Sequence, residues 1–262
     1  MSDGPKILVL DIENAPIMAH VWGLFNNDVA INQIQADWYL LSWAAKWVGE
    51  DYVYSDSLFR HRDWYDEDRE NDYTILSTLR PLLEEADVLV GHNSQKFDVP
   101  KILTRMLIHG MEPPVIGQQV DTLKIAKSKF RFSSNKLQFI ADALGIGGKV
   151  ETGGHELWTA CMHGDPQAWA TMLEYNEHDV VLTEEVYLEL RGWAGAHPNY
   201  GLYTAADESP CCTVCGSDNL IRKGWHYTSV SAFQRFQCKD CGKKMRGRKN
   251  FAKKDGLLTN CG

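Results

Sequence analysis

The sequence lacks any long apolar run: no stretch approaches the roughly 18 consecutive apolar residues that predict a membrane-spanning helix. Its N-terminus, MSDGPK, lacks the apolar segment of a secretory signal peptide. The glycine-rich segment 145–154 lacks the lysine-serine pair of a phosphate-binding loop, and the chain contains no internal repeat. We therefore expect a cytoplasmic protein without a nucleotide-binding loop of that type.

An excess of basic residues is also missing, since the formal net charge is −8, which argues against a general nucleic-acid coat protein. The charge is uneven, because residues 212–254 contain eleven Lys or Arg and two acids, a local charge of +9. The remainder has 16 bases and 33 acids, a charge of −17. An acidic body with a basic segment is common in metal-dependent enzymes that hold a polyanion. With 262 residues, 44% of them hydrophobic, the chain can bury a core, and we expect one main domain with an appendage.

The apolar patterns predict an α/β body. A strand at 7–13 is followed by strands at 38–48 and 52–58, which we expect to form an antiparallel meander. Further along, the patterns predict an exposed acidic loop at 61–72, a helix at 73–86, a strand at 87–90, a helix at 99–109, a short extended segment at 120–125, and helices at 134–144 and 166–191. We interpret 195–210 as a linker, because the composition changes abruptly after it.

Two acids end the first predicted strand, in the stretch ILVLDIENAP. The run 7–10 has no polar alternation and is typical of a strand buried on both faces. Asp11 and Glu13 follow at positions i and i+2, on one face of the strand. Two carboxylates aimed at one point repel each other unless a cation lies between them. The alternative is an ordinary acidic turn at the end of a strand.

Two later motifs supply companions for this pair. In GHNSQKFDVP, Asp98 lies at the start of a predicted helix, where an N-terminal cap is the ordinary explanation. In YNEHDVV, Tyr175 and Asp179 lie four residues apart on one helical face, as surface polar groups often do. The ordered combination of D-x-E, N-x-x-x-F-D and Y-x-x-x-D is far less expected by chance than any one of the three.

This ordered set resembles the DEDD superfamily of 3′–5′ exonucleases, in its tyrosine-bearing branch, over residues 6–190. The histidine-bearing branch places His five residues before the last Asp, and this chain has Glu174 there. His178 is adjacent to Asp179 and is expected to point elsewhere on the helix. The resemblance implies an α/β, ribonuclease H-like fold with a mixed central sheet flanked by helices.

The resemblance also implies a two-metal hydrolysis of phosphodiester bonds. Two divalent ions about 4 Å apart stabilise the charge that develops at phosphorus and on the leaving oxygen. Mg²⁺ and Mn²⁺ prefer oxygen ligands, which the resemblance assigns to Asp11, Glu13, Asp98 and Asp179. Asp11 would bridge both ions. Tyr175, with an unperturbed pKa of about 10, would orient the attacking water rather than act as a base.

Substrate contacts follow from the same resemblance. Asn14, with the following Ala15 and Pro16, is expected beside the 3′-terminal nucleotide. Asn93 matches a position where an amide contacts the scissile nucleotide, and Phe97 one where an aromatic ring stacks on a base. Core packing is an equal alternative for Phe97.

A basic segment near the middle of the chain is a further candidate for contact with a nucleic-acid strand. It comprises Lys124, Lys127, Lys129 and Arg131, interleaved with Phe130 and Phe132. Interleaved basic and aromatic side chains are typical of strand-binding grooves. A solvated basic edge is the open alternative.

Five of the seven cysteines lie between positions 211 and 241, which in a cytosolic chain favours metal binding over disulfides. Two C-x-x-C-G knuckles separated by 22 residues predict one tetrahedral zinc site formed by Cys212, Cys215, Cys238 and Cys241. The glycine after each pair permits a tight turn, and zinc would stabilise a segment too small for its own core. Cys211 is an alternative first ligand. We interpret Cys161 as a buried small hydrophobe and Cys261 as a terminal bystander.

The cysteine segment resembles the zinc ribbons of transposase and transcription-type proteins. Phosphate contacts are expected from its basic side chains, which are Arg222, Lys223, Arg235, Lys239, Lys243, Lys244, Arg246, Arg248 and Lys249. Unpaired bases are expected to stack on some of its aromatic rings, while others cover the zinc site; these are Trp225, Tyr227, Phe233 and Phe236. The alternative is a ribbon that packs on the nuclease body or on a partner protein.

The sequence thus predicts a metal-dependent 3′–5′ exonuclease domain at 1–194, a linker at 195–210, and a zinc ribbon with a basic tail at 211–262. The ribbon would help to hold single-stranded 3′ ends of DNA. The implied setting is replication or repair in bacteria or phage-infected cells, with a protein of those processes as a candidate partner. Two alternatives stay open: an exoribonuclease of the same mechanism, and a nucleic-acid-binding adaptor with a vestigial nuclease body. The intact set of five site residues argues against the adaptor.

Overall fold

The computed structural model describes residues 4–25, 28–148, 153–204, 209–252, 254 and 256–259, with Trp64 described by its backbone alone. Cys261 and part of the glycine-rich segment 145–154 lie outside the described residues. The chain forms two compact units, a larger one of Lys6–Lys124 and Phe132–Val186 and a smaller one of Met1–Pro5, Ile125–Arg131 and Tyr187–Gly262. The domain boundaries at 194 and 210 stay a prediction.

The elements follow one another along the chain as strands, then alternating helices and strands, then helices, then three strands. The first part contains β1 (Ile7–Asn14), β2 (Met18–Ala19), β3 (Ile34–Ala36), β4 (Leu40–Trp47), β5 (Val53–Ser57), α1 (Arg62–Glu67), α2 (Tyr73–Glu85) and β6 (Val88–Gly91). The middle contains α3 (Asp98–Ile108), β7 (Gln118–Asp121), α4 (Thr122–Lys129), α5 (Leu137–Leu144), α6 (His155–His163) and α7 (Pro166–Leu190). The last part contains β8 (Leu220–Tyr227), β9 (Ala232–Cys238) and β10 (Lys244–Asn250). Short 3-10 turns lie at Ile31–Gln33, Leu58–Arg60, Arg191–Trp193 and Tyr200–Leu202.

Strand β1 is the centre of a five-stranded sheet with the order β5-β4-β1-β6-β7. It pairs antiparallel with β4 and parallel with β6, while β4 pairs antiparallel with β5 and β6 parallel with β7. A central strand covered on both faces needs apolar residues throughout, and Leu8, Val9 and Leu10 are buried. The mixed central sheet flanked by helices confirms the predicted α/β, ribonuclease H-like fold.

Polar residues collect where the parallel strands of this sheet end. In the β6–β7 register Gly91 faces Asp121, and in the β1–β6 register Val9 faces Val90, two residues before Asp11. The carboxyl ends of β1, β6 and β7 therefore meet at the same edge of the sheet. Open α/β sheets bind ligands at this kind of edge, and the larger unit has its acidic cavity there.

Helix α3, which begins with one of the predicted site residues, is fixed to the sheet by a buried charge. Asp72 is fully buried, accepts the backbone N–H of Leu40 at 2.8 Å, and accepts hydrogen bonds from Arg105 at 2.8 Å and His109 at 2.6 Å. Arg105 and His109 lie at the end of α3, and Leu40 begins β4. A buried carboxylate satisfied in this way holds the helix end firmly against the strand.

Three local predictions were wrong. The predicted loop 61–72 contains α1, whose Tyr65 is buried and donates its hydroxyl to the carbonyl of Cys161 at 3.2 Å. The predicted extended segment 120–125 becomes helical at Thr122, because the Asp121 carboxylate accepts the backbone N–H of Leu123 at 3.0 Å and caps α4. The predicted helix 134–144 begins three residues later, at Leu137. In addition, helix α6 was not predicted at all.

Within the residues that the structure describes, no helix combines the length and the apolar character needed to cross a membrane.

In the smaller unit, β8, β9 and β10 form an antiparallel sheet with β9 in the middle. Leu220 and Met245 pack against a small core of Cys212, Val214 and Cys238. This core is far smaller than that of the larger unit, so a metal ion held by its four cysteines would add to its stability.

Candidate functional site

A cavity of about 360 Å³ opens at the carboxyl edge of the central sheet and brings together all five predicted catalytic residues. These are Asp11, Glu13, Asp98, Tyr175 and Asp179. The remaining lining comes from Ile12, Asn14, His92, Phe97, Leu137 and Trp158. The site is therefore assembled from β1, the β6–α3 turn and helices α3, α5, α6 and α7.

Three carboxylates form the centre of the cavity. Oxygens of Asp11, Glu13 and Asp179 all lie within 4.8 Å of one another. Strand alternation directs Asp11 and Glu13 to one face of β1, while α7 supplies Asp179 from the far side of the sequence. At an effective dielectric of about 20, two unit charges at this distance repel by roughly 3–4 kcal/mol. Such a cluster needs either protons or a cation.

Asp98 is the fourth carboxylate of the cavity but does not belong to that close group of three. It is buried, and its Oδ1 accepts the backbone N–H of Ile12 at 3.2 Å. Asp98 is the first residue of α3, and the cap position belongs to Phe97 without a side-chain cap. Asp98 is therefore not the cap residue itself, and its side chain reaches β1 from the first turn of the helix.

The local environment favours protonated acids while no cation is bound. Burial raises the pKa of Asp11 well above its usual range, and the nearby carboxylates of Asp98, Glu13 and Asp179 raise it further. Burial raises the pKa of Glu13 to about 8 and that of Asp98 to about 7. Burial also raises the pKa of Asp179, against the lowering effect of a hydrogen bond with Tyr175. Burial is the largest cause of the raised pKa in all four acids.

Tyr175 lies one helical turn before Asp179, as the sequence predicts, and hydrogen-bonds to it. Burial and the surrounding carboxylates raise the pKa of its phenol above the ordinary value. The hydroxyl therefore stays protonated and can donate or accept a hydrogen bond without acting as a base. His178 points out of the cavity, with its Nε2 2.6 Å from the carbonyl oxygen of Gly148.

Two of the three predicted substrate contacts line the cavity. Asn14 follows Glu13 at an irregularity in the β1–β4 register. Phe97 is 40% exposed, so the alternative of core packing is wrong. Asn93 does not line the cavity; it occupies a left-handed turn with φ of 72° and donates its backbone N–H to Asp121 at 3.0 Å.

Three polar residues that hold the site were missed from the sequence. Trp158 donates its indole N–H to Glu13 at 3.0 Å. Asn176 is fully buried, donates to Asp11 Oδ2 at 2.8 Å and accepts from the Ser42 hydroxyl at 3.0 Å. Asp121 accepts three backbone N–H groups and shapes the turn before Asp98. Gly154 and Gly164, which flank α6, could have indicated the helix that carries Trp158. Nothing in the local pattern singled out Asn176 or Asp121.

The donor set fits divalent cations that prefer oxygen. The close group contributes only carboxylates, and none of the acids in it forms an ion pair with a basic residue of the described chain. Hard ions such as Mg²⁺ and Mn²⁺ take such ligands. The acids could therefore be neutralised by bound metal rather than by protein charge.

A second cluster is formed by Cys212, Cys215, Cys238 and Cys241, whose sulfurs lie within 4.8 Å of one another. The distances are 3.5 Å between Sγ of Cys212 and Cys241 and 3.7 Å between Sγ of Cys215 and Cys238. A tetrahedron with zinc–sulfur bonds of about 2.3 Å has edges of about 3.8 Å. Gly216 and Gly242 both have φ of 74°, the left-handed turn for which glycine was expected. The arrangement fits one zinc ion, with Cys211 outside it.

The basic side chains predicted near the middle of the chain lie at the surface. Lys124, Lys127, Lys129 and Arg131 are exposed, and Lys124 hydrogen-bonds to Gln95. A role in strand binding stays a prediction for them.

The isolated cysteine of the larger unit has the environment that the sequence predicts. Cys161 is fully buried, and burial raises the pKa of its thiol to about 12. A thiol that stays protonated in an apolar setting behaves as a small hydrophobic side chain.

Comparison with known proteins adds an independent line of evidence. Residues 47–191, more than half of the chain, match the family model of the RNase H superfamily. The chain belongs to the RNase H superfamily. The matched range includes Asp98, Tyr175 and Asp179 and begins after β1. Membership supports a nuclease activity that uses divalent metals and acts on nucleic acid.

A solved structure, the family B DNA polymerase from the hyperthermophilic archaeon Pyrobaculum calidifontis, is similar with a TM-score of 0.54 and 18% sequence identity. The similarity covers 72% of this chain and 25% of that chain. At this identity the likeness shows the fold alone. This chain spans about a quarter of the length of the polymerase chain. No curated protein matches the chain.

The repulsion in the acid cluster gives a stability prediction. Replacing Asp11 by Asn removes an acid that the metal-free protein must either protonate or hold against repulsion, so the unfolding temperature should rise, by roughly 2–4 °C for each kcal/mol relieved. The stabilisation that Mg²⁺ or Mn²⁺ gives the parent should largely disappear. Calorimetric melting with and without each ion measures both effects. Asp66→Asn, at an exposed position of α1, is the matched control. Equal metal-induced shifts in parent and Asp11→Asn would show that Asp11 holds no ion.

Trp158 gives a second prediction. Trp158→Phe keeps an aromatic ring beside Tyr175, where the centroids are 6.1 Å apart, but loses the N–H that orients Glu13. We expect apparent metal affinity to fall roughly 10–100-fold, as for other groups that orient metal ligands. Titration with Mn²⁺ measures this, with the fully exposed Trp22→Phe as control. Parent-like affinity in a folded Trp158→Phe protein would exclude a positioning role.

Proposed function

We propose that this RNase H superfamily member is a metal-dependent 3′–5′ exonuclease that hydrolyses phosphodiester bonds of DNA, with a zinc ribbon that helps to hold the strand. The observation that carries the proposal is the convergence of four carboxylates and a tyrosine in one cavity. Their chain order matches the tyrosine-bearing DEDD exonucleases. The likeness in fold to a DNA polymerase supports DNA as the substrate.

The proposed catalytic residues and the side chains that hold them have distinct tasks in this reaction. Asp11, Glu13, Asp98 and Asp179 would hold two divalent ions, which when bound neutralise the phosphate and activate water. The Tyr175 hydroxyl, fixed by Asp179, orients the water towards phosphorus. Asn176 and Trp158 keep Asp11 and Glu13 in position. Phe97, exposed at the rim, offers a face on which a terminal base can stack.

Digestion of end-labelled oligonucleotides tests the proposal. Single-stranded DNA with a 5′ label should shorten one nucleotide at a time in Mg²⁺ or Mn²⁺, and a 3′ label should be released as mononucleotide at once. Matched RNA measures the sugar preference. Asp98→Asn, which retains an oxygen to accept the Ile12 N–H, should be inactive. Absence of metal-dependent hydrolysis, or internal cuts in place of a ladder, would refute the exonuclease; faster loss of RNA would make it an exoribonuclease.

Tyr175→Phe separates water positioning from metal binding. The variant keeps the ring and the four carboxylates and loses only the hydrogen bond to Asp179, so its turnover is compared with the parent at saturating metal. Turnover should fall about 10²-fold, the range typical of a lost general acid–base type contact. Single-turnover hydrolysis alongside metal titration distinguishes the two. Tyr203→Phe, in the smaller unit, serves as the control tyrosine. Unchanged turnover in Tyr175→Phe would remove this residue from the mechanism.

Removing residues 211–262 tests the role of the ribbon. The shortened protein keeps every proposed catalytic residue and should cleave at high DNA concentration, once its melting curve shows that it folds. Its DNA affinity should be lower and less dependent on salt, because each neutralised phosphate contributes about 0.7–0.9 to the log–log slope. Elemental analysis should find one zinc in the full chain and none after truncation. Equal affinity and equal slope would leave protein docking as the task of the ribbon.

A further inference from the structure

Two arginines lie directly opposite each other on neighbouring strands of the ribbon sheet. The register of β9 and β10 pairs Arg235 with Arg246. Like charges at opposed positions repel and destabilise a sheet. No carboxylate in the described part of the chain forms an ion pair with either of them. The pair is therefore a built-in excess of positive charge that an anion would relieve.

The surroundings of the pair are basic as well. A cleft of about 330 Å³ is lined by His226, Arg235, Lys244, Met245 and Arg246, with no acid among them. Lys244 lies two residues from Arg246 and so shares its face of the sheet. His226 is opposite Phe233, which lies two residues from Arg235. One face of the sheet thus gathers three permanent cations and one histidine.

The zinc cluster fixes the opposite face. Leu220 and Met245 pack against the cysteine core, so the arginine face is directed away from it. The acid of the second knuckle, Asp240, is already bound, with its oxygens accepting from Ser217 at 2.5 Å and Asn219 at 2.8 Å. This carboxylate is thus committed to holding the two knuckles together rather than to neutralising the arginines.

Arg246 is held in an orientation suited to phosphate. Its guanidinium carbon lies 4.0 Å from the centroid of the Phe233 ring. Stacking on an aromatic ring fixes the guanidinium plane while leaving N–H groups at its edge for a bidentate contact. Paired N–H groups of this kind match two oxygens of a phosphate.

We propose that the β9–β10 face is a phosphodiester-binding site for single-stranded DNA, in which Arg235 and Arg246 contact the backbone phosphates. The inference rests on the proposed nucleic-acid substrate and names the part of the ribbon that holds it. Lys244 and His226 extend the contact along the strand. An acidic protein segment is also negatively charged but lacks tetrahedral oxyanions. The DNA-binding experiment below distinguishes it from a nucleic-acid strand.

The test uses the full-length, zinc-loaded protein with Asp98→Asn in all samples, so that the probe is not digested. Binding of a fluorescein-labelled oligo-dT is measured over a range of salt concentrations. Arg235→Gln and Arg246→Gln should each lower the log–log salt slope by about 0.7, and the double variant by about twice that. Arg62→Gln removes the same charge from an exposed position of α1 in the larger unit and should keep the parent slope. Arg235→Lys and Arg246→Lys should keep the slope as well, because the charge is retained.

Zinc content, melting temperature and turnover are measured on the same variants to separate loss of DNA binding from loss of folding. Zinc content should stay at one ion per chain, and the Gln variants should melt no lower than the parent, since they relieve repulsion. In the catalytically intact protein, the Gln substitutions should raise the DNA concentration needed for half-maximal turnover, because they remove binding contacts. If the double variant shows the same salt dependence of DNA affinity as the parent, the inference is overturned and an acidic protein is favoured as the occupant, even if hydrolysis is intact. If instead the Gln variants lose salt dependence while the catalytically intact parent shows no hydrolysis, the binding site is supported and the proposed nuclease is refuted.

Discussion

Mutual repulsion among carboxylates at the end of β1 is the constraint on which the larger unit depends. Such a cluster persists only if the surrounding chain holds the acids more firmly than they push apart. The central position of β1, with strands on both sides, does this for Asp11 and Glu13. Asn176 fixes Asp11 at 2.8 Å and Trp158 fixes Glu13 at 3.0 Å. Asp72, buried under α3, anchors the helix that carries Asp98.

The two clusters of the chain use opposite coordination chemistry. Carboxylate oxygens suit hard ions that exchange ligands during a reaction, whereas four thiolates enclose zinc and leave no open position. The first arrangement suits catalysis and the second suits structure. The same separation is visible in the charge, since the acids surround the cavity and the bases lie on the ribbon sheet. A polyanion near such a protein would be attracted by one unit and would need metal to approach the acids of the other.

How far the sequence predicts this structure depends on whether the information is local. The strand β1, the acids on its one face, and the Tyr175–Asp179 pair follow from periodicities of two and of nearly four residues. The knuckle glycines follow from the turn geometry that each C-x-x-C-G motif requires. Helix α6 did not follow, because its short sequence gains order from burial of Leu157 and Cys161 rather than from a strong pattern. The partners of Asp11 and the opposed arginines depend on which distant segments become neighbours, and no local pattern encodes that register.

The hydrogen bond from Asn176 to Asp11 joins residues that are 165 positions apart in the chain. Closing a loop of that length costs roughly 4–5 kcal/mol in chain entropy, which this one hydrogen bond cannot offset without the other contacts of the sheet and helices. During synthesis β1 leaves the ribosome long before α7 does. For most of translation the growing chain therefore carries Asp11 and Glu13 of the close group without Asp179. Hydrolytic capacity would arise in one late step, after α7 has docked, so an incomplete or misfolded product of this gene would not degrade the nucleic acids around it.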